Sequence, residues 1–204
     1  MILMLAITAV IASIVISCGA KLREADALDL SKTPVQTVEN MFAVETDNGK
    51  ILNRMEAVQM ERYNTDTSEL ELFPLGLHVY GYGEDGVLET VILSDQARHE
   101  RPRRRYGTEV WMAVGNVVVH NITKQQTMET DTLFWDQTAK EIYTDSYVKM
   151  YSPDGFMQGY GMRSDDHARN AILLRPFNSY GYAEQDSTVV FVDSVNFIGP
   201  FLKK

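Results

Sequence analysis

The chain contains a single cysteine, Cys18, among its 204 residues. No intramolecular disulfide can therefore form, and the fold must depend on its hydrophobic core. The chain is long enough to build such a core as one domain of ordinary size, even after an N-terminal segment is set aside.

Basic residues are scarce. Lys and Arg number 19 against 28 Asp and Glu, which gives a formal net charge of -9, and residues 1–20 carry no charged side chain. The acidity therefore belongs to the rest of the chain. Because phosphate contacts need a basic surface, a general role in binding nucleic acid is disfavoured, as is broad adhesion to anionic lipid surfaces.

Signatures of catalysis and of metal binding are also missing. The four histidines are scattered, with no His-Glu-x-x-His helix and no set of cysteines to join them. There is no Gly-x-Ser-x-Gly turn and no glycine-rich phosphate loop. Aspartates such as Asp136 and Asp154 are better explained by turn chemistry than by paired catalytic carboxylates. We therefore expect no cofactor, no metal and no catalytic residue.

The N-terminus is apolar from residue 1 to residue 17, and no Lys or Arg precedes this run. As a helix extended to Ala20 it would span ~30 Å, about the thickness of a bilayer core. In one interpretation, Val15-Ile16-Ser17-Cys18 is a lipobox and Cys18 becomes a diacylated N-terminus. In the other, the run is a single-pass membrane helix. Residues 1–18 are predicted to anchor the chain to a membrane in either case.

Period-two patterning begins near residue 37, after a polar tether at 19–36. Leu75, Leu77 and Val79 alternate with Gly76, His78 and Tyr80, as strands with two different faces require. Short turn signals such as Asp47-Asn48-Gly49 and Pro153-Asp154-Gly155 separate the runs. The pattern predicts an all-β antiparallel domain over residues 37–176. Residues 177–204 have no assignment, although Val189–Val192 could add a strand.

Four segments occur in an order and spacing that are more specific than any one of them alone. They are Gly115–Val119, Met128–Asp136, Ile142–Val148 and Gly159–Asp165. Read as Gly-Asn-Val, Thr-x-x-Leu-x-Trp-Asp, Ile-x-Thr-Asp and Gly-x-Gly-aliphatic strands, they resemble the LptC family of lipopolysaccharide export. Upstream, Phe73-Pro74-Leu75-Gly76 also fits the family. Met128 departs from its more usual leucine, a change that conserves volume.

The resemblance implies an open, twisted, antiparallel β-jelly roll whose apolar groove holds lipid acyl chains. It implies a chain at the periplasmic face of the inner membrane that accepts lipopolysaccharide from an ABC transporter and passes it to a periplasmic jelly-roll bridge protein. ATP hydrolysis by the partners would supply the energy, and this chain would do no covalent chemistry. The alternative is an envelope lipoprotein that serves as a structural adaptor, with a packed β core and no lipid cargo.

Two sets of residues are candidates for the site. Alternating apolar residues on the predicted strands would form the walls of a lipid groove. These lipid-groove candidates are Leu77, Val79, Val91, Leu93, Trp111, Val117, Val119, Leu133, Trp135, Ile142, Val148 and Met162. Arginine forks suit phosphate geometry, and the head-group candidates are Arg101, Arg103, Arg104 and Arg105.

Overall fold

The computed structural model describes residues 32–103, 107–183 and 188–192, and within these ranges all regular structure is β-strand. The all-β antiparallel class predicted from the sequence is confirmed. The strands are β1 (Gln36–Asp47), β2 (Lys50–Asn64), β3 (Ser68–Phe73), β4 (Leu77–Tyr82), β5 (Leu88–Ser94), β6 (Gln96–Pro102), β7 (Val110–Asn121), β8 (Gln126–Asp136), β9 (Glu141–Ser152), β10 (Gly155–Asp165), β11 (Ile172–Pro176), β12 (Ser179–Ala183) and β13 (Thr188–Val192).

The strands form an antiparallel meander with two interruptions, because β3 pairs with β6 and not with β4, and β5 pairs with β4 and β7 and not with β6. β3 and β4 act as one interrupted strand, since both pair with β2. β5 and β6 act as another, since both pair with β7. The interruptions divide the sheet into half-sheet A, which contains β3 and β6, and half-sheet B, which contains β4, β5, β12 and β13. Strands β1, β2 and β7 to β10 run through both.

A line of irregularities separates the two half-sheets. The pairing register shifts in β7 between Val114 and Val117, where Gly115 and Asn116 both have positive φ, and it shifts again beside Gly161 in β10. Asp95, between β5 and β6, ties this line together: its N–H donates to the Gly115 carbonyl at 3.0 Å, and its Oδ2 accepts from Asn116 Nδ2 at 2.7 Å. Because bulges bend a strand and increase its twist, the inner faces of half-sheets A and B are turned toward each other. Residues of both halves accordingly share one core cluster, for example Val119 with Leu133.

Gly115 and Gly86 provide a matched test of this bend, because both have φ of +79°. A Cβ at Gly115 would meet Asp95 at 3.0 Å, whereas a Cβ at Gly86 would meet nothing within 4 Å. Gly86→Ala carries the backbone strain alone and should cost about 1 kcal/mol. Gly115→Ala should cost about 2–3 kcal/mol, since strain and crowding add. Chemical denaturation of both variants measures the difference, and equal losses would contradict a close approach at Asp95.

The sheet continues past residue 176. β12 pairs with β10 through Phe156 and Tyr180, and β13 extends the edge through its pairing with β12. The predicted strand at Val189–Val192 lies within β13. The predicted anchor, including Cys18, lies outside the described residues. No helix long and apolar enough to cross a membrane occurs in the described part of the chain.

Candidate functional site

One wall of the candidate site is a row of apolar side chains across half-sheet B. Residues paired directly across strands share a face of the sheet, so the pairing register defines the row. It crosses eight strands, from β1 to β10, and would extend roughly 30 Å at ordinary strand spacing. Its members are Ala43, Met55, Val79, Ile92, Val119, Met128, Met150 and Met157.

A polar row lies on the same face at the rim of half-sheet B, with each member two positions along its strand from a member of the apolar row. It consists of Glu45, Asn53, Gly81, Thr90, Asn121 and Gln126, paired in that order. The inner face of this half-sheet therefore changes from apolar to polar within one step of the strand alternation. Such a surface matches a ligand with an apolar part and a polar end.

Half-sheet A supplies the facing wall through a row that is aromatic at its centre. Trp111 stacks on Trp135 with ring centroids 6.4 Å apart and on Phe73 at 5.8 Å. The row continues from Trp135 to Ile142 and then to Ser164. Aromatic rings give this wall a large apolar area at low conformational cost.

A cavity of about 450 Å³ lies between the two walls. Half-sheet B contributes Met55, Leu77, Val79 and Ile92, and half-sheet A contributes Ala97, Trp111, Ala113, Leu133, Trp135 and Ile142. Polar side chains, among them Glu45 and Asn53, line its rim. The size falls within the ~300–1,000 Å³ usual for sites that enclose small organic ligands. No metal-binding group of three His, Cys, Asp or Glu occurs among the residues that the structure describes.

The structure brings six of the twelve predicted groove residues to this cavity: Leu77, Val79, Trp111, Leu133, Trp135 and Ile142. Four others, Val117, Val119, Val148 and Met162, are buried in the core cluster that Leu133 and Ile142 also join. Leu133 and Ile142 therefore connect the packed core to the cavity. Of these ten candidates, six line the cavity and four lie in the packed core beside it.

Val91 and Leu93 are placed differently, because they alternate along β5 with the residues that line the cavity, Thr90, Ile92 and Ser94. They share the opposite face with His78, Tyr80 and Val118. Because three consecutive residues are apolar here, the alternation of side chains does not show which of them face the cavity. Ile92, Met55 and Ala113 were not predicted as wall residues, and only the pairing register identifies them.

His99 closes the aromatic wall with a buried polar network. Its ring stacks on Trp111 with centroids 4.0 Å apart, and its side chain is 4% exposed. Nδ1 lies 2.9 Å from Glu71 Oε2, and Nε2 lies 2.8 Å from Glu109 Oε1. The hydrogen bond from His99 lowers the pKa of Glu71 to about 2, against the opposing effect of burial and with further help from Arg62, whose Nη2 donates at 2.7 Å. The network fixes the position of one face of Trp111.

Of the head-group candidates, Arg101 lies on β6 and Arg103 follows it in the connection to β7. Arg101 pairs with Glu109 at 3.1 Å, and Arg103 is exposed, with its backbone N–H donating to the Thr67 carbonyl at 2.9 Å. Arg104 and Arg105 lie outside the described residues. The ion pair with Glu109 therefore partly neutralises the charge of Arg101 within the domain.

The fold and the site define an antiparallel β protein whose bent sheet encloses an apolar cavity with a polar rim. No curated protein matches the chain. The sequence model of one family, described as lipopolysaccharide-assembly, LptC-related, matches residues 1–182. The chain belongs to the LptC family, and the resemblance carried by the strand motifs is confirmed.

Membership gives the chain a non-enzymatic role in lipopolysaccharide export, with an envelope location and the partners of lipopolysaccharide transport in general. The four motif segments of the sequence fall on β7 to β10, where they contribute to both half-sheets.

Proposed function

We propose that this chain is a periplasmic lipid relay of lipopolysaccharide export, built as an open, twisted β-jelly roll. It accepts lipopolysaccharide from an inner-membrane ABC transporter and passes it to a periplasmic jelly-roll bridge protein. The observation that carries this proposal is the 450 Å³ cavity between two apolar rows, with polar side chains at its rim. Acyl chains would occupy the apolar part, and the polar end of the glycolipid would lie at the rim.

The cavity also supports this role over that of a structural adaptor. An adaptor without cargo needs a filled interior, because empty apolar volume destabilises a folded domain. Here the interior near β10 is filled by Val148 and Met162, while the region near β4 and β5 is open. The uneven packing favours a site for an apolar ligand.

Native mass spectrometry of the full chain in detergent, with lipopolysaccharide and separately with phospholipid, tests the relay. We expect selective one-to-one binding of lipopolysaccharide. Binding of neither lipid would favour the adaptor, and equal binding of both would remove the selectivity that a dedicated relay requires.

Two free sheet edges are suited to the protein partners. Among the described strands, β1 pairs only with β2 at one edge, while β11 pairs only with β10 and β13 only with β12 at the other. A partner of the same fold can add its own edge strand through backbone hydrogen bonds. In this proposal the β1 edge faces the transporter and the C-terminal edge faces the bridge protein.

Proline substitution along β1 tests the first of these edges. Successive N–H groups of an edge strand alternate between its neighbour and the free side, so one of Ala43→Pro and Val44→Pro removes an outward donor and the other an inward one. The outward variant should weaken copurification with the transporter about 2- to 10-fold, as the loss of one hydrogen bond allows. Its melting temperature should change little, whereas the inward variant should melt lower. Unchanged copurification for both variants would contradict docking at β1.

The anchor and the head-group contacts complete the proposal. Residues 1–18 would hold the chain at the periplasmic face of the inner membrane, through a lipidated Cys18 or a single-pass helix. The intact mass of the mature protein distinguishes the two, because diacylation and cleavage before Cys18 both change it. Arg101, Arg103, Arg104 and Arg105 would contact glycolipid phosphates, and crosslinking from this segment to the sugar-phosphate part would measure that contact.

A further inference from the structure

The loop between β10 and β11, residues 166–171, has a fixed conformation of its own. Asp165 organises it: its carbonyl accepts from the Ala168 N–H at 3.0 Å, and its Oδ1 and Oδ2 accept from Arg169 N and Asn170 Nδ2, each at 2.8 Å. Ala168 has φ of +54°. Hydrogen bonds between Asp165 and the loop residues therefore hold the loop in this conformation, apart from its contacts with the rest of the sheet.

The same loop bridges half-sheet A to half-sheet B through backbone carbonyls. Three consecutive carbonyls accept hydrogen bonds: that of His167 from Thr90 Oγ1 at 3.2 Å, that of Ala168 from Asn121 Nδ2 at 3.2 Å, and that of Arg169 from Lys124 Nζ. The Arg169 side chain adds an ion pair with Glu89 at 3.3 Å. Thr90 and Asn121 belong to the polar row, so the loop covers that row where it crosses β5 and β7.

A second, much smaller space lies beneath this loop. Its volume is about 20 Å³, room for roughly one water molecule. Its lining includes Val119, Met128, Ile142, Met150 and Met162, with Ala168 and Ala171 of the loop above them. Ile142 also lines the 450 Å³ cavity, and Val119, Met128 and Met150 belong to the same apolar row as Met55. The two spaces are therefore neighbours along one wall.

One buried polar group in this space is unpaired among the described residues. Ser164, a residue only 7% exposed, lines the space, and its hydroxyl has no hydrogen-bond partner among the residues that the structure describes. A buried hydroxyl without a partner is costly in a finished core. An ester or hydroxyl oxygen of a ligand would satisfy it.

Resting on the proposed function, we propose that the methionine-lined space beneath the β10–β11 loop is a second acyl-chain subsite, which fills when the loop lifts from half-sheet B. Methionine side chains repack readily around irregular apolar ligands. Water can replace the loop's hydrogen bonds and ion pair, and its apolar contacts come from the small side chains of Ala168 and Ala171. A glycolipid with several acyl chains exceeds what a cavity suited to a single small ligand can hold. The first chain occupies the open cavity, and a further chain enters past Ile142.

Photo-methionine, a diazirine analogue incorporated in place of methionine, tests the subsite with a built-in control. Met55 and Met112 line the 450 Å³ cavity, whereas Met128, Met150 and Met162 line the smaller space beneath the loop. The full chain in detergent is irradiated with lipopolysaccharide, and the crosslinked methionines are identified by mass spectrometry. We expect crosslinks at both sets. Crosslinks confined to Met55 and Met112 would overturn the second subsite and leave the relay intact, while crosslinks at neither set would overturn both.

Arg169→Glu tests the part played by the loop, because it replaces the ion pair with Glu89 by a repulsion. Crosslinking at Met128, Met150 and Met162, relative to Met55, should rise about fivefold, as the loss of one exposed ion pair allows. Arg175→Glu is the matched control, since Arg175 lies over Tyr160, away from the loop contacts, and its ratio should not change. An unchanged ratio in Arg169→Glu would show that the loop does not control entry.

Discussion

Ile92→Asp is expected to reduce lipopolysaccharide binding at least ~10- to 100-fold, because an apolar ligand group against an unpaired carboxylate loses several kcal/mol of contact free energy. Ile92 stands at the centre of the half-sheet B wall and lines the cavity. It is partly exposed, so the carboxylate can be hydrated, but it also packs against the core cluster. The melting temperature of the variant therefore has to be measured beside its binding. Native mass spectrometry or a fluorescent lipopolysaccharide titration measures the loss.

Two companions make this experiment decisive. Val91→Asp places the same charge one residue away on the opposite face of β5, and it should leave binding within about twofold of wild type. Ala113→Trp fills the cavity without adding charge and should weaken binding as Ile92→Asp does. Equal effects of Val91→Asp and Ile92→Asp would contradict the assignment of the inner face.

His99→Ala should produce the largest loss of stability. It leaves Glu71 and Glu109 without their shared partner and removes the ring that stacks on Trp111. Glu71 keeps Arg62 as a partner and Glu109 keeps Arg101. Losing the hydrogen bonds of His99 to two charged acceptors, together with the packing of its ring, should cost roughly 2–4 kcal/mol. The melting temperature should fall by about 5–15 °C. Arg101→Ala removes an exposed partner of the same Glu109 and should cost less than about 1 kcal/mol.

The pH dependence of stability follows from the same network. The pKa of Glu71 is lowered in the folded state to about 2, so its contribution is fully present above the unfolded pKa near ~4.3 and is lost as the pH falls through about 2. Denaturant unfolding between pH 6 and pH 2 should show this loss in the wild type and a flatter curve in Glu71→Gln. Parallel curves would contradict the coupling between Glu71 and His99.

The alternation of side chains predicts the fold class well because the two faces of most strands differ. Leu77 and Val79 illustrate this, since a residue between them cannot share their face. The limit of this rule is seen in β5, where three consecutive residues, Val91, Ile92 and Leu93, are apolar. Alternation cannot show which of them face the inside of the sheet, and it is the pairing of Ile92 with Val119 on β7 that places Ile92 on the inner face.

Other parts of the site depend on contacts between distant segments. Nothing near His99 in the sequence indicates that Glu71 and Glu109 lie on either side of its ring. The loop at 166–171 reads as a polar turn, and its role appears only where Thr90 and Asn121 meet its carbonyls. The motif segments were informative because residues such as Gly115 and Asn116 have backbone conformations that few other residues adopt readily.

The meander has a consequence for how the chain folds. Most strands pair with a strand that lies close to them in the sequence, and the exception is β3, whose second partner β6 follows only after β4 and β5. Local connections of this kind lower the entropic cost of each pairing step and speed folding relative to β folds with long crossovers. Apart from the β3–β6 pair, the domain can therefore assemble in order from β1 toward β13, as each new strand joins the growing edge.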